Sequence, residues 1–404
     1  MTKKPFVLLV DDDLKQEAFA LLLQSNGVDA RHVTPGDLVE KDIRRADLVL
    51  IDEFLDDWPE RDRLRDSPGL YVRDGLALSA VLRAHLERRG LYPDDHPGPK
   101  RPVPTSTALV LRTGHLDVLA AGIPCFIRPM AVAGRHDLEW VIEKGGDSTE
   151  ASSVAELTRA AAALPAPDQW CNPAEPTAQM KWLAFPEDES WTRDARAQIE
   201  LCRPPWAVIS AKSAGRRWLS WFLQRILPFP TFLVDDQHAA AYLGLKPSAL
   251  DALMSGPDVV VASMLQGAVY KGHLSSLVGR RWWRAGITAI RRHALGSAAG
   301  RSAIDVGESL IKAHGSKLEV LGLYRPVFQI DADYRIIPEP IEMTKAVRLQ
   351  PDGWPSYADT PWLALDLISG EPELANLMVI DDREDLVATI SNEPTDDEIT
   401  SVES

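Results

Sequence analysis

Five polar side chains in the first part of the sequence have the chemistry needed to transfer a phosphoryl group. Asp11 and Asp12 are adjacent carboxylates, and Asp52 supplies a third. Clustered carboxylates repel one another unless a hard cation binds between them, and Mg²⁺ prefers oxygen ligands. A carboxylate beside Mg²⁺ can accept a phosphoryl group, while the Thr113 hydroxyl and the Lys144 ammonium group could stabilise the charge on its oxygens. This chemistry requires that all five side chains meet.

Each of these side chains follows a segment of strand type. Residues 6–10, 48–51 and 108–111 are short, continuous apolar runs, a pattern typical of strands buried on both faces of a parallel sheet. Helical stretches between the runs indicate βα units. In a doubly wound sheet, ligands bind beyond the carboxyl ends of the strands. We therefore predict an α/β fold over residues 1–165, in which a doubly wound, five-stranded parallel sheet of flavodoxin-like type gathers the five side chains in one acidic pocket.

The position of the fifth strand is open between two segments. Residues 125–129 and 138–144 both fit a strand, and the second is followed at 154–164 by an amphipathic helix of the kind that closes such a domain. We therefore favour the second segment. The first segment would bring Arg128 to the pocket and the second Lys144. The sequence alone leaves these two cations as alternatives for the basic corner of the site.

Four strings of residues resemble the receiver domains of response regulators, the family that acts in two-component signalling. The first resembles that family's first strand with its acidic pair, and the second its phosphoacceptor strand. The third resembles the start of the family's third helix, and the fourth its fourth strand with the switch threonine. The strings are Val7-Leu-Leu-Val-Asp-Asp-Asp13, Asp47-Leu-Val-Leu-Ile-Asp-Glu-Phe-Leu55, Asp74-Gly-Leu-Ala-Leu78 and Ala108-Leu-Val-Leu-Arg-Thr-Gly-His115.

The resemblance implies a role for each candidate residue. Asp11 and Asp12 would bind Mg²⁺ together with Asp52, and Asp52 would accept the phosphoryl group. Thr113, as the switch residue, would change its position when Asp52 is phosphorylated. Lys144 would pair with the phosphorylated group. The protein would then be a bacterial phosphoprotein of signal transduction.

The sequence also departs from the receiver pattern. Lys144 is followed by Gly145-Gly146, whereas family members usually have proline at this point. The chain is longer than the pattern before Asp74 and again before Lys144. The first insertion, at 58–68, would lie over the pocket and could cover or block it. A receiver fold that is retained but silent is therefore an alternative.

Composition and charge limit the remaining possibilities. The chain has 404 residues, 45% of them apolar and 25% charged, which is typical of a globular protein of two or three domains. No apolar run approaches the ~18–20 residues of a membrane span, and no signal peptide is evident, so we expect a cytoplasmic protein. A formal net charge of −15 opposes binding to nucleic acid and to anionic membranes. Cys125, Cys171 and Cys202 have no metal-binding spacing.

The sequence changes character beyond residue 165. We predict a linker at 166–180, a Trp-rich helical domain at 181–315, a small α+β lobe at 316–385 and a disordered acidic tail at 386–404. This half contains no phosphate-binding loop, zinc-protease motif or nucleophile elbow. We therefore do not predict an enzyme.

One segment of the second half has the pattern of a helix-turn-helix. Residues 238–256 form two helical stretches around a glycine. A DNA-reading helix presents basic or amide side chains, whereas the second stretch presents Ser248, Asp251 and Ser255. The pattern therefore favours an ordinary pair of packed helices.

A basic and aromatic stretch follows at Arg281, Trp282, Trp283 and Arg284. Tryptophan flanked by arginine is typical of protein interfaces, where it forms an anchor. The same residue types also bind nucleic acid, but the net charge makes this the weaker interpretation. We therefore predict contact with a protein partner or with another domain of the chain, and a place in an ordinary hydrophobic core is the remaining alternative.

Three hypotheses on function follow. In the first, the protein is a phosphorylated receiver whose C-terminal region binds a protein, with a histidine kinase or an effector as partner. In the second, it is a phosphorylation-independent receiver adaptor of a bacterial defence system. In the third, it is a DNA-binding regulator that uses residues 238–256.

Overall fold

The computed structural model describes residues 4–58, 61, 72, 74–87, 107–165, 177–205, 215–296, 302–314 and 318–392. The N-terminal part alternates strands and helices. Its elements are β1 (Phe6–Val10), α1 (Glu17–Ser25), β2 (Asp29–Val33), α2 (Glu40–Arg45), β3 (Leu48–Asp52), α3 (Gly75–Glu87), β4 (Ala108–Thr113), α4 (Leu116–Leu119), α5 (Arg128–Arg135), β5 (Trp140–Glu143) and α6 (Ser148–Ala162).

These five strands form one parallel sheet in the order β2-β1-β3-β4-β5. Side chains alternate between its faces. Val7 and Leu9 pack with α1 and α6 on one face, whereas Leu8 and Val10 pack with α2, α3 and α5 on the other. The predicted α/β fold is confirmed: the N-terminal part has a doubly wound, receiver-like sheet. The fifth strand lies within the favoured segment 138–144.

The second half is mainly helical, with short strands between the helices. Its first elements are α7 (Thr177–Trp182), α8 (Thr192–Leu201), α9 (Arg216–Trp221), β6 (Leu233–Val234), α10 (Asp236–Tyr242), α11 (Ser248–Met254) and α12 (Val259–Ala268). They are followed by β7 (Trp282–Trp283), α13 (Arg284–Leu295), α14 (Ala303–His314), β8 (Pro326–Val327), β9 (Ile341–Glu342), β10 (Ala346–Arg348), β11 (Trp362–Ala364), α15 (Pro372–Ala375) and α16 (Ile380–Asn392).

The sheet and the helical region share a hydrophobic core. The core on the α1 and α6 face continues into a cluster of tryptophans that includes Trp182, Trp218 and Trp283. The indole Nε1 of Trp182 donates a hydrogen bond of 3.0 Å to the carbonyl of Ala160 in α6. Because these rings are buried, the tryptophans join the two parts of the chain instead of forming a separate surface.

The small lobe contains two antiparallel strand pairs, β8 with β9 and β10 with β11. A hydrophobic cluster joins this lobe to the N-terminal part. It contains Ile127, from the 3₁₀ helix Cys125–Ile127, together with Phe229 and Ile330. The backbone N–H of Phe126 also donates to the carbonyl of Asp333 at 3.0 Å. The segment before α5 is therefore held by the lobe.

Three predicted segments lie partly outside the described residues. Residues 166–176 of the predicted linker lie outside them, and residues 177–180 belong to α7. Only Trp58 and Arg61 of the insertion at 58–68 are described. In the predicted tail, residues 386–392 belong to α16 and the rest lies outside.

Among the described residues, no single helix has the length and apolar character needed to cross a membrane. The pair α11 and α12 passes this test together, but it is bent by 118° at the break.

Candidate functional site

The carboxyl ends of β1 and β3 bring three carboxylates together. Asp11 and Asp12 follow β1 directly, and Asp52 is the last residue of β3. One oxygen from each of the three carboxylates lies within 4.8 Å of the others. Asp11 and Asp52 are each 2% exposed, and Asp12 is half-buried. Solvent therefore reaches this acidic site mainly on the side of Asp12.

Burial and repulsion disfavour ionisation in this pocket. Burial, followed by the nearby charge of Asp52, raises the pKa of Asp11 to about 6. Burial also raises the pKa of Asp52, although the hydrogen bond and the charge of Lys144 oppose this. Asp11 Oδ1 accepts a hydrogen bond of 2.9 Å from the backbone N–H of Asp13, whereas its buried Oδ2 has no hydrogen-bond partner. A buried, unpartnered carboxylate oxygen is costly.

These carboxylates fit a divalent cation. Three oxygen ligands at this spacing suit Mg²⁺, which retains several waters in its octahedral shell. A cation here would also bind Asp11 Oδ2 directly, since that oxygen accepts no hydrogen bond and the guanidinium of Arg112 lies 3.7 Å from it. Asp11, Asp12 and Asp52 are therefore the residues that would hold it.

Lys144 and Arg112 provide the positive charge beside the carboxylates. Lys144 follows β5, and its ammonium group forms an ion pair with Asp52 Oδ1. Arg128, the alternative from sequence, lies in α5 and donates from Nε to the carbonyl of Ile123 at 2.8 Å. The structure therefore places Lys144, and not Arg128, at Asp52.

Sequence reasoning missed Arg112. Its guanidinium is buried, donates from Nε to Glu150 Oε1 at 2.5 Å and lies 3.7 Å from Asp11 Oδ2. The signal was a charged residue inside an otherwise apolar strand, with an acidic residue in the first turn of α6 to pair with it. The positive charge of Arg112 therefore partly balances the negative charge of the acidic pocket.

Glu53 was also missed, and it contacts the switch candidate. The Thr113 hydroxyl donates a hydrogen bond to the Glu53 carboxylate and accepts one of 2.9 Å from the backbone N–H of His115. Thr113 is fully buried and Glu53 is 6% exposed. The structure therefore brings Thr113 to the pocket with its hydroxyl already bound to a carboxylate. The only signal in the sequence was the position of Glu53 directly after Asp52.

The loop after β3 reaches back to the acidic pair. The backbone N–H of Asp57 donates to Asp12 Oδ2 at 2.5 Å, and Trp58 is buried. One oxygen of Asp12 is thus engaged by the loop, which leaves its other oxygen for a ligand. The start of the predicted insertion therefore lies against the pocket.

The basic and aromatic stretch does not form an exposed interface. Trp282 and Trp283 are 0% and 1% exposed. Adjacent residues of β7 point to opposite sides, so Trp282 packs in the cluster of α10 to α14, whereas Trp283 packs in the core shared with the sheet. The sequence predicted contact with a protein partner or with another domain of the chain, and the structure places both tryptophans in contacts of the second kind. They make contacts within the chain.

The flanking arginines are also engaged within the chain. Arg281 is held near the carbonyl of Leu227 at 3.4 Å, and Arg284 forms a 2.5 Å ion pair with Asp359 of the small lobe. Arg280 pairs with Asp236 and with Asp251 of α11. Asp251 is an exposed residue of the second helix at 238–256, so the charge of Arg280 beside that helix is balanced by two carboxylates.

The sheet order and the residues at its carboxyl edge define a receiver-like α/β fold. A scan against protein-family models and a search of curated proteins gave no match. A search of solved structures found NtrX from Brucella abortus in complex with ADP, with 19% identity and a TM-score of 0.26 over 50% of this chain and 35% of that chain. It also found NtrX in complex with ATP, with 16% identity and a TM-score of 0.26 over 53% of this chain and 41% of that chain. The matches span less than half of either NtrX chain.

The raised pKa of Asp11 predicts that Mg²⁺ affinity depends on pH. Asp11 must lose its proton to bind a metal, and its pKa lies at about 6. Affinity should therefore be about tenfold weaker at pH 5 than at pH 7. Isothermal titration of Mg²⁺ into the full chain at both pH values measures this. Asp11→Asn is the control, because it should bind weakly and lose the part of the pH dependence that comes from Asp11. An equal affinity of the unsubstituted protein at both pH values would contradict the assignment.

Proposed function

We propose that this protein is a receiver-type regulatory protein whose acidic pocket binds Mg²⁺ and accepts a phosphoryl group on Asp52. The observation that carries the proposal is the cluster of Asp11, Asp12 and Asp52, with a buried oxygen that has no hydrogen-bond partner and with Lys144 paired to Asp52. Perturbed carboxylates of this kind, gathered at strand ends, are typical of functional sites.

The chemistry uses groups that already lie in the pocket. The ionised Asp52 carboxylate attacks the phosphorus of a phosphodonor, and the bond from phosphorus to the donor's leaving group breaks, so that the leaving group departs with the electron pair. Lys144 exchanges its contact with Asp52 for the oxygens of the transferred group. Mg²⁺ would supply further neutralisation of charge on those oxygens.

The contacts of the segment after β4 support a signal that passes from the pocket to the small lobe of the same chain. Thr113 ends β4, and the chain then runs through α4 to the 3₁₀ helix at Cys125–Ile127. The Phe126 ring lies 5.5 Å from Phe229 and 6.0 Å from Trp354, measured between centroids. A movement at Thr113 would therefore reach the small lobe through packed residues. We propose that the protein has a protein partner in the cytoplasm, either a histidine kinase that acts on the pocket or an effector that binds the C-terminal region.

Mass spectrometry of the full chain with Mg²⁺ and acetyl phosphate tests the proposal. We expect one phosphoryl group per chain, which borohydride reduction of the acyl phosphate assigns to Asp52. Beryllofluoride with Mg²⁺ should shift the NMR signals of the same pocket. If neither acetyl phosphate nor phosphoramidate adds mass, and beryllofluoride shifts no signal, the protein is not a competent phosphoacceptor.

One observation favours the phosphorylation-independent adaptor as a second candidate. Glu53 already binds the Thr113 hydroxyl, which is the group that would otherwise follow the phosphoryl oxygens. A silent receiver would keep this arrangement permanently. It would act through its surface, in a bacterial defence system for example, and it would give the negative result of the preceding experiment.

Glu53→Gln should increase the rate of phosphoryl uptake. The Glu53 carboxylate is buried directly after Asp52, so its negative charge opposes an incoming phosphoryl group. The amide oxygen of glutamine still accepts the Thr113 hydrogen bond but carries no charge. We expect an increase of about threefold to tenfold in the initial rate with acetyl phosphate. Glu143→Gln, at the exposed end of β5, is the matched control. A slower Glu53→Gln variant would assign Glu53 a supporting role instead.

A further inference from the structure

A cavity of about 320 Å³ lies between the helical region and the small lobe, remote in sequence from the acidic pocket. His238 and Tyr242 of α10 line one side, and Phe328, Trp354 and Trp362 of the lobe line another. Its size is within the range of sites for small molecules. Five ring systems around one cavity provide flat, polarisable surfaces against which a planar ring can stack.

A network of polar groups fixes the wall of this cavity. Arg284 donates to the carbonyls of Pro230 and Thr231 at 2.7 and 2.5 Å and pairs with Asp359 at 2.5 Å. The Tyr242 hydroxyl donates to the same carboxylate. Burial raises the pKa of Tyr242 well above its usual range, so this hydroxyl remains a donor. The network therefore forms a rigid wall in which the arginine and the carboxylate balance each other's charge.

A second cavity of about 360 Å³ adjoins the first. Tyr242 and Pro326 line both cavities. The second cavity contains Arg291 and Arg325 in its lining and, among the described residues, no acidic side chain. Arg325 is exposed, and its guanidinium forms no ion pair with the described residues. Two carboxylates lie next to this lining without belonging to it: Glu342 accepts from the backbone N–H groups of Tyr324 and Arg325, and Asp305 accepts from Ser302. Arg291 donates to the carbonyl of Tyr242 at 3.5 Å. The charged groups in the lining itself are the two arginines.

We propose that the two cavities form one binding site for a nucleoside phosphate. The base would stack among the rings of the first cavity, and the phosphate would pair with Arg325 and Arg291 in the second. Stacking on aromatic side chains accepts any base, whereas arginine recognises phosphate oxygens with two parallel hydrogen bonds. Neither half alone defines this ligand. The ring-lined cavity has no unbalanced positive charge with which to bind a phosphate. The cavity with the two arginines has few rings against which a base could stack.

Calorimetric titration of the full chain with AMP, GMP, CMP and UMP tests the proposal. Adenosine and inorganic phosphate serve as the two fragments. We expect at least one nucleotide to bind with a micromolar Kd, and each fragment to bind at least tenfold more weakly. Arg325→Ala should weaken nucleotide binding at least tenfold, which corresponds to about 1.4 kcal/mol. Thr360→Trp should abolish binding because the added ring fills the first cavity, whose lining includes Thr360.

Matched controls separate the binding site from general effects. Arg335→Ala removes an exposed arginine of the same lobe that does not line either cavity, and it should change the Kd less than twofold. Arg325 and Thr360 are exposed, so both variants should keep the melting temperature of the parent. The proposal is overturned if no nucleotide binds at millimolar concentration, or if Arg325→Ala and Thr360→Trp leave the affinity unchanged. Binding of phosphate as tight as that of the nucleotide would also overturn it, because the ring-lined half would then contribute nothing.

Discussion

Asp52→Asn should abolish phosphoryl uptake and leave the folded protein at least as stable as the parent. Asparagine has the shape of aspartate but cannot attack phosphorus, so the expected loss is complete. The carboxylate that it replaces is 2% exposed, and its pKa is raised mainly by burial. Removing this charge also relieves the repulsion of Asp11. The cost is the lost ion pair with Lys144, whose side chain is 31% exposed and can turn to water.

Intact mass with acetyl phosphate and thermal melting of the same samples measure both parts of this prediction. Asp117→Asn is the matched control, since Asp117 is an exposed aspartate of α4 outside the pocket and should leave uptake and melting unchanged. Phosphoryl uptake by Asp52→Asn at the parental rate would place the acceptor elsewhere. A loss of stability would mean that the Lys144 ion pair outweighs the cost of the buried charge.

The same pocket contributes to the pH dependence of stability without metal. The pKa of Asp11 is about 6 in the folded chain, whereas the ordinary value of an aspartate, expected in the unfolded chain, is 3.8. Between these two pH values the folded state therefore binds more protons than the unfolded state. The stabilising contribution of protonated Asp11 is therefore fully present below about pH 4 and is lost as the pH rises through about 6. Mg²⁺ should compensate for this loss above pH 6, because it binds the folded state.

The acidic pocket could be predicted from sequence because strand ends fix its residues. An apolar run reveals a buried parallel strand, and the residue that follows it must lie at the carboxyl edge of the sheet. That argument placed Asp11, Asp52 and Thr113. It could not find Arg112, because whether a charged residue within a strand is buried depends on a partner in a distant helix, here Glu150.

The tryptophans show what the sequence could not decide in the second half, namely whether these rings lie at a surface or inside the chain. Trp282 and Trp283 are adjacent to arginines, which suggests a surface. Their burial instead depends on the pairing of β7 with β6. These two strands are about fifty residues apart in the sequence. Such a two-residue strand has no periodicity of its own. The environment of β7 depends on two hydrophobic clusters that pack on its opposite sides, one around Trp282 and one around Trp283.

Gly75→Ala should unfold or strongly destabilise the N-terminal part. A Cβ atom at this position would lie 1.9 Å from the carbonyl oxygen of Asp52 and 2.8 Å from its carbonyl carbon. Both are backbone atoms, so no side chain can rotate away. The N–H of Gly75 also donates to the carbonyl of Glu53 at 2.8 Å, which holds α3 against the end of β3. Either α3 or the backbone at the end of β3 must move, at an expected cost of about 3 kcal/mol or more.

Urea denaturation of the full chain measures the loss, and Gly114→Ala is its control. A Cβ at Gly114 would meet nothing within 4 Å, so that variant should change the free energy of unfolding by less than about 0.5 kcal/mol. Gly75→Ala should also lose the beryllofluoride response before it unfolds, because the displaced carbonyl belongs to Asp52 itself. A variant with parental stability would mean that β3 and α3 can separate without cost. The glycine after Asp74 would then have no role in positioning the acceptor.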